Sequence, residues 1–167
     1  NFLLNNLLRF PQAKSANAIY GTLIHTVLQH AHSHLAASGT RKPIEDITGE
    51  FIRLLHQQEL SDNDLALYSK RGIETLEAFL GAKYGTFTPS QKPELSFAGQ
   101  GVVLGQARLT GSLDLVDIDN QTITVTDYKT GKPSTSWTGK SDYEKIKLHK
   151  YRQQLMFYEL LCVNSRD

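Results

Sequence analysis

Three charged side chains near the middle of the chain, Asp114, Asp127 and Lys129, have the types and the spacing of a catalytic site. They lie in residues 113–129, which alternate apolar and polar positions on either side of a turn signal and so predict a β-hairpin. If the turn is Asn120–Gln121, Asp114 faces Asp127, and the two-residue period of a strand puts Lys129 on the same face. Directly opposed carboxylates destabilise a sheet unless a cation lies between them.

The same hairpin face also carries apolar pairs, Val116 opposite Val125 and Ile118 opposite Ile123. We expect this apolar row to be buried against a helix, with the charged residues at its end. The pattern therefore predicts a divalent-metal site. The competing interpretation is that these are ordinary acids at strand ends, since a register slip of one residue would turn Asp127 to solvent.

These residues resemble the active-site core of PD-(D/E)XK nucleases, with Gly-Ser-Leu-Asp at 111–114 and Thr-Asp-Tyr-Lys-Thr-Gly-Lys at 126–132. More narrowly, the chain resembles the RecB-like branch, which is found fused to UvrD-type helicases and in AddAB-type enzymes. The resemblance covers about residues 20–162. Three further elements carry it in the family's order: Gly21-x-x-x-His25, Glu94 in Pro-Glu-Leu-Ser-Phe, and Gln154-x-x-x-Tyr158.

The resemblance implies a metal centre and a catalytic lysine. Its metal ligands would be His25, Asp114, Asp127 and the backbone carbonyl of Tyr128. Carboxylate oxygens suit Mg²⁺ or Mn²⁺, and an imidazole ligand tilts the preference towards Mn²⁺. Lys129 would orient or help deprotonate the attacking water and offset the anionic charge of the site.

The resemblance assigns supporting roles to three more residues. Glu94 would lie near the metal, and Gln154 with Tyr158 would position the substrate or the lysine. By themselves these residues have ordinary alternatives: a charge at the start of a strand lies in water, and a helical tyrosine belongs to the core.

A basic segment follows the predicted metal site. Residues 129–152 hold seven Lys or Arg and two acids, a net charge of +5, while the whole chain carries +1. Such a segment suits contacts with nucleic-acid phosphates, and Trp137 would stack on a base. The alternatives are a solvated helix face and a loop anchor. The predicted DNA-binding residues are Lys132, Trp137, Lys140, Lys147, Lys150 and Arg152.

The order of elements predicts an α/β fold. Helical patterns fill residues 1–85, and the strands and active-site core occupy 92–163. The resemblance implies a restriction-endonuclease-like domain, in which helices flank a mixed central sheet and a helical portion precedes it. At 167 residues one nuclease domain is expected, excised from a longer helicase–nuclease.

Composition excludes several classes of protein. One cysteine excludes an iron–sulfur cluster held within this chain. No Walker A motif occurs, so ATP hydrolysis is not expected here. No apolar run reaches membrane-spanning length and no signal peptide is recognisable, which predicts a cytoplasmic protein that makes no use of a membrane.

Together these features predict a divalent-metal-dependent DNA nuclease, with the resemblance favouring an exonuclease in recombination and double-strand-break repair. Its partners would be DNA, in the nucleoid, and a UvrD-like helicase in the same polypeptide or complex. Two alternatives stay open. One is a catalytically inactive DNA-binding or scaffolding module of a helicase complex, and the other is an enzyme that uses a metal hairpin on small phosphoesters.

Overall fold

The structure, a computed structural model, describes residues 14–119, 122–134 and 136–165. Its contacts divide the chain into two units. Among the described residues, the first unit contains 14–27 together with 43–85, and the second contains 28–42 together with those from 86 to 165.

The first unit is helical. It contains the beginning of helix α1 (Ala16–Ser38), all of α2 (Ile44–Leu55) and all of α3 (Asp62–Lys83), after which a 3₁₀ turn follows at Tyr84–Thr86. Phe51 of α2 is fully buried and lies over Gly72 of α3, where any side chain would overlap its ring. Tyr20 of α1 packs edge-on against Phe51, and its hydroxyl donates to Thr75 Oγ1 at 3.1 Å. These aromatic contacts form the core of the unit.

The second unit is built on a three-stranded antiparallel sheet. Its strands are β1 (Lys92–Ser96), β4 (Ser112–Asp119) and β5 (Thr122–Thr126), and they lie in the order β1-β4-β5. A separate short hairpin pairs β2 (Val103–Leu104) with β3 (Ala107–Arg108), and helix α4 (Asp142–Val163) follows the strands.

The hairpin has the predicted register, because Val116 pairs with Val125 and Ile118 pairs with Ile123. The predicted turn, Asn120–Gln121, lies outside the described residues. One expectation is wrong: Ile118 and Ile123 are each 46% exposed rather than buried. The physical reason is that Val116 packs in one cluster with buried residues of α4, whereas Ile118 and Ile123 are not in that cluster and lie one pair from the end of the strand register.

The helix ends follow local signals. Helix α1 ends at Ser38, immediately before Gly39, whose φ of +71° lies in the left-handed region that glycine adopts without strain. Ser61 caps α3 by accepting a hydrogen bond from the backbone N–H of Asp64.

In the described part of the chain, every helix is too short or too polar to cross a membrane.

Candidate active site

Two carboxylates meet across the first pair of strands. Pro93 pairs with Leu115 and Leu95 pairs with Leu113, which places Glu94 opposite Asp114. Oxygen atoms of the two carboxylates come within 4.8 Å of each other, and both side chains are half-buried. Like charges at that distance repel, so this arrangement favours a bound cation.

The backbone at Glu94 is unusual for a strand. Its φ of +49° is the only positive value at a non-glycine residue among the described residues. Such a conformation costs roughly 1–3 kcal/mol and occurs preferentially at functional sites. The strain therefore coincides with the position where the two carboxylates meet.

A closed ring of hydrogen bonds surrounds the predicted lysine. The Lys129 ammonium lies 2.6 Å from Asp127 Oδ2 and donates to Gln154 Oε1 at 2.9 Å. The Gln154 amide donates to the Tyr158 hydroxyl, which in turn donates to Asp127 Oδ1 at 2.9 Å. Each donor in the ring has an acceptor, so the lysine is held in one position by residues of the hairpin and of α4.

The two tyrosines of the site are held in their neutral form. Burial, and next the hydrogen bond to Asp127, raise the pKa of Tyr158 above its usual range. Burial, and next the charge of Asp114, raise the pKa of Tyr128 to about 12. The backbone N–H of Tyr128 donates to Asp114 Oδ2 at 2.7 Å, so Tyr128 also holds one of the paired carboxylates.

Helix α4 places Gln154 and Tyr158 beside the hairpin. Two local features favour this arrangement: the helix has a capped N-terminus, and a glycine allows it to pack closely. A capping box of Ser141 and Glu144 closes its first turn. Near its other end, Gly111 lies so close to the helix that an added Cβ would stand 3.1 Å from a methyl group of Leu161. The glycine ahead of β4 thus makes room for the helix.

The donor set fits a divalent cation with a preference for oxygen. Glu94 and Asp114 supply carboxylate oxygens on adjacent strands, and such ligands suit Mg²⁺ or Mn²⁺ better than soft metals. Asp127 has other partners: its Oδ2 atom is paired with the Lys129 ammonium, and its Oδ1 atom accepts a hydrogen bond from the Tyr158 hydroxyl.

The basic segment forms a cavity of about 320 Å³ next to Lys129. Lys132, Tyr151 and the half-exposed Trp137 are among its lining residues. Two of the predicted DNA-binding residues also hold the loop in place. Lys147 donates to the carbonyl of Lys132 at 2.9 Å, and Arg152 stands 5.5 Å from the centre of the Trp137 ring. Lys140 and Lys150 are exposed.

The structure thus brings together most of the residues expected at the site: Glu94, Asp114, Asp127, Tyr128, Lys129, Gln154 and Tyr158. The roles assigned to them stay predictions. His25 lies on α1 and is half-buried, and its role as a ligand also stays a prediction.

Sequence reasoning missed two residues near this site. Tyr151 faces two cations, Lys129 at 5.2 Å and Lys147 at 5.5 Å from its ring centre. The second residue is His32, which is buried and contacts the Tyr128 hydroxyl. One signal was available, because His32 follows His25 by seven residues, which is two turns of a helix.

Comparison with known proteins is consistent with this geometry. A family model described as the PD-(D/E)XK nuclease superfamily matches residues 1–166. Searches among curated proteins and among solved structures gave no match.

Proposed function

The chain belongs to the PD-(D/E)XK nuclease superfamily, and from this premise we propose that it is a divalent-metal-dependent deoxyribonuclease. We further propose that it belongs to the RecB-like branch and acts as an exonuclease, the nuclease module of a helicase–nuclease in recombination and double-strand-break repair in the nucleoid. The superfamily consists in general of metal-dependent nucleases, and its fold is the predicted one. The finer assignment is supported by the His25, Glu94 and Gln154-x-x-x-Tyr158 motifs.

The proposal is supported mainly by one observation, namely that a pair of carboxylates and a fixed lysine occur in the same site. Opposed carboxylates of Glu94 and Asp114 suit a cation, and the ring around Lys129 suits a fixed ammonium group. A small-phosphoester enzyme has no need of the basic, aromatic-lined cavity beside Lys129, so we favour a nucleic-acid substrate.

In the proposed mechanism the protein positions the reactants for phosphodiester hydrolysis. A bound divalent ion, Mg²⁺ or Mn²⁺, would supply Lewis-acid activation of the phosphate and of water. We assign its binding to His25, Asp114, Asp127 and the Tyr128 carbonyl, with Glu94 beside them. Lys129, oriented by Asp127 and Gln154, positions the attacking water and offsets charge that develops on the phosphate.

The test is cleavage of end-labelled linear single- and double-stranded DNA in Mg²⁺, Mn²⁺ or EDTA. Lys129→Ala is expected to lower the cleavage rate by about 10²–10³-fold, because a preorganised charge stabiliser is lost, while DNA binding is kept. Lys145→Ala is the matched control, since it removes an exposed lysine of α4 whose partner is Asp142.

Each outcome has a definite meaning. Full cleavage by Lys129→Ala would refute the role of the lysine. DNA binding by the wild-type chain without cleavage in either metal would favour the scaffolding module over the nuclease. Cutting that requires a free end would support the exonuclease assignment, and cutting of closed circles would contradict it.

A further inference from the structure

His32 is a buried histidine with a defined environment. It lies on α1 and only 1% of its surface is exposed. Its ring stacks on Phe87, with centres 3.8 Å apart and planes 15° apart, and the Phe87 carbonyl accepts a hydrogen bond from Arg41 at 2.9 Å. The Nε2 atom lies 3.0 Å from the Tyr128 hydroxyl oxygen. The ring is therefore fixed by a stacked face and by a hydrogen bond at its edge.

Tyr128 connects this histidine to the carboxylate pair. Its hydroxyl contacts His32, and its backbone N–H donates to Asp114 Oδ2 at 2.7 Å. A tyrosine ring that is held at its hydroxyl restrains the backbone to which it is attached, so the contact with His32 limits how far the peptide that holds Asp114 can move. Because Asp127 and Lys129 flank Tyr128 in sequence, a shift of this peptide would also disturb the ring around the lysine.

Packing alone does not explain a histidine at this position. A leucine would fill an apolar space without burying a polar group, whereas the Nδ1 atom of His32 is buried and has no hydrogen-bond partner in the described part of the chain. Burial also lowers the pKa of His32 to about 4, so the ring is neutral at neutral pH. What the imidazole adds over an apolar side chain is its contact with the Tyr128 hydroxyl.

We propose that His32 is a positioning residue of the metal centre, which fixes Tyr128 through its hydroxyl and thereby sets the orientation of the Asp114 carboxylate. This inference rests on the proposed function, because it assumes that Asp114 is a metal ligand. Groups that orient metal ligands typically change metal affinity by about 10–100-fold when they are removed.

The test measures Mn²⁺ affinity directly, by electron paramagnetic resonance of the free ion, in four variants of the chain. Tyr128→Phe deletes only the hydroxyl, and His32→Leu replaces the polar ring with an apolar side chain. Both are expected to raise the Kd for Mn²⁺ by about 10–100-fold. His32→Gln can place an amide near the position of Nε2 and should recover most of the affinity. Tyr20→Phe is the matched control, because it deletes a hydroxyl that donates to Thr75.

Cleavage kinetics provide a second readout. If His32 acts on metal binding, His32→Leu should need more Mn²⁺ for half-maximal cleavage yet approach the wild-type kcat at saturating Mn²⁺. A purely structural role would instead lower the melting temperature of His32→Leu without changing the Kd for Mn²⁺ of the folded protein.

The outcomes separate this inference from the proposed function. Unchanged Mn²⁺ affinity in folded Tyr128→Phe and His32→Leu would overturn the inference while the nuclease assignment stands. A wild-type chain that binds Mn²⁺ but does not cut DNA would overturn the nuclease, and weakened Mn²⁺ binding in the variants would still support the inference. If His32→Leu fails to fold, Tyr128→Phe, which keeps the ring and its packing, decides the matter.

Discussion

At the scale of single residues, Glu94 combines two unfavourable features. Its backbone φ of +49° is strained for a side chain other than glycine, and its carboxylate faces Asp114 across the strands. A cation between the carboxylates would turn the repulsion into attraction. We therefore expect Glu94 to lower the stability of the metal-free protein and to raise its affinity for metal.

Substitutions of Glu94 should therefore raise the stability of the metal-free protein but reduce the stabilisation that metal provides. Glu94→Gln removes the charge, and Glu94→Gly also removes the strain, so the free energy of unfolding without metal should rise in both, in the glycine variant by about 1 kcal/mol. Both variants should lose most of the rise in melting temperature that Mn²⁺ produces in the wild type.

Urea denaturation and thermal melts with and without Mn²⁺ make this comparison. Glu77→Gln, which changes an exposed glutamate of α3, serves as the control and should behave as the wild type. Full stabilisation of Glu94→Gln by Mn²⁺ would contradict a place for Glu94 at the metal.

At the scale of elements, α4 contacts both the β4–β5 hairpin and the loop that precedes the helix. Gln154 and Tyr158 of this helix close the ring around Lys129, while Lys147 holds the loop that precedes the helix. The helix begins at a capping box, in which Ser141 accepts from the backbone N–H of Glu144 at 3.2 Å. Loss of the cap should loosen the loop and the first turn before it affects the ring.

Ser141→Ala should lower the free energy of unfolding by about 1 kcal/mol, the usual cost of deleting a serine N-cap. Hydrogen exchange should show faster exchange in the first turn of α4 than at Gln154. Ser136→Ala is a matched control, because that hydroxyl hydrogen-bonds to Thr138 in the loop rather than to a helix. If the backbone amides of the first turn exchange at the same rate in Ser141→Ala and in Ser136→Ala, the cap does not stabilise the helix.

The cap also gives the helix a pH dependence. Hydrogen bonds from the backbone N–H groups of Lys140 and Ser141 lower the pKa of Glu144 below its usual value of 4.5. Its stabilising contribution is therefore present above pH 4.5 and is lost as the pH falls through the lowered pKa. The difference in melting temperature between wild type and Glu144→Gln should shrink over that acidic range.

At the scale of the whole molecule, charge is distributed unevenly. Residues 129–152 carry +5, which leaves −4 for the rest of the chain. Part of this positive charge is used internally, since Lys129 pairs with Asp127 and Lys145 pairs with Asp142. The exposed Lys140 and Lys150 are better placed to contact phosphates.

DNA affinity should therefore fall steeply with salt, because bound phosphates release counterions. Lys140→Ala and Lys150→Ala should each reduce the slope of log K against log salt by about 0.7–0.9, uniformly across DNA sequences. Lys70→Ala removes the same charge from α3 and should leave the slope unchanged. Fluorescence anisotropy of labelled DNA between low and high salt provides the measurement, and a slope that responds equally to Lys70→Ala would refute a specific role for the basic segment.

The sequence alone determined what depends on neighbours in the chain. The register of the β4–β5 hairpin was predictable from the alternation of apolar and polar residues and the pleat of a strand, so Val116 was expected opposite Val125. Helix ends at Gly39 and Ser141 follow from local backbone preferences. The fold class, confirmed by the superfamily match, followed from motifs in a fixed order. The single-domain organisation stays a prediction.

Only the tertiary structure decided which distant side chains meet. Glu94 stands opposite Asp114 because β1 pairs with β4 across an intervening segment, and no local rule sets that register. Closure of the ring by Tyr158 and the contact of His32 with Tyr128 depend on how helices pack against the strands. Packing sums many weak contacts over the whole unit, so a periodic pattern can show which residues are apolar or charged but not which of them touch.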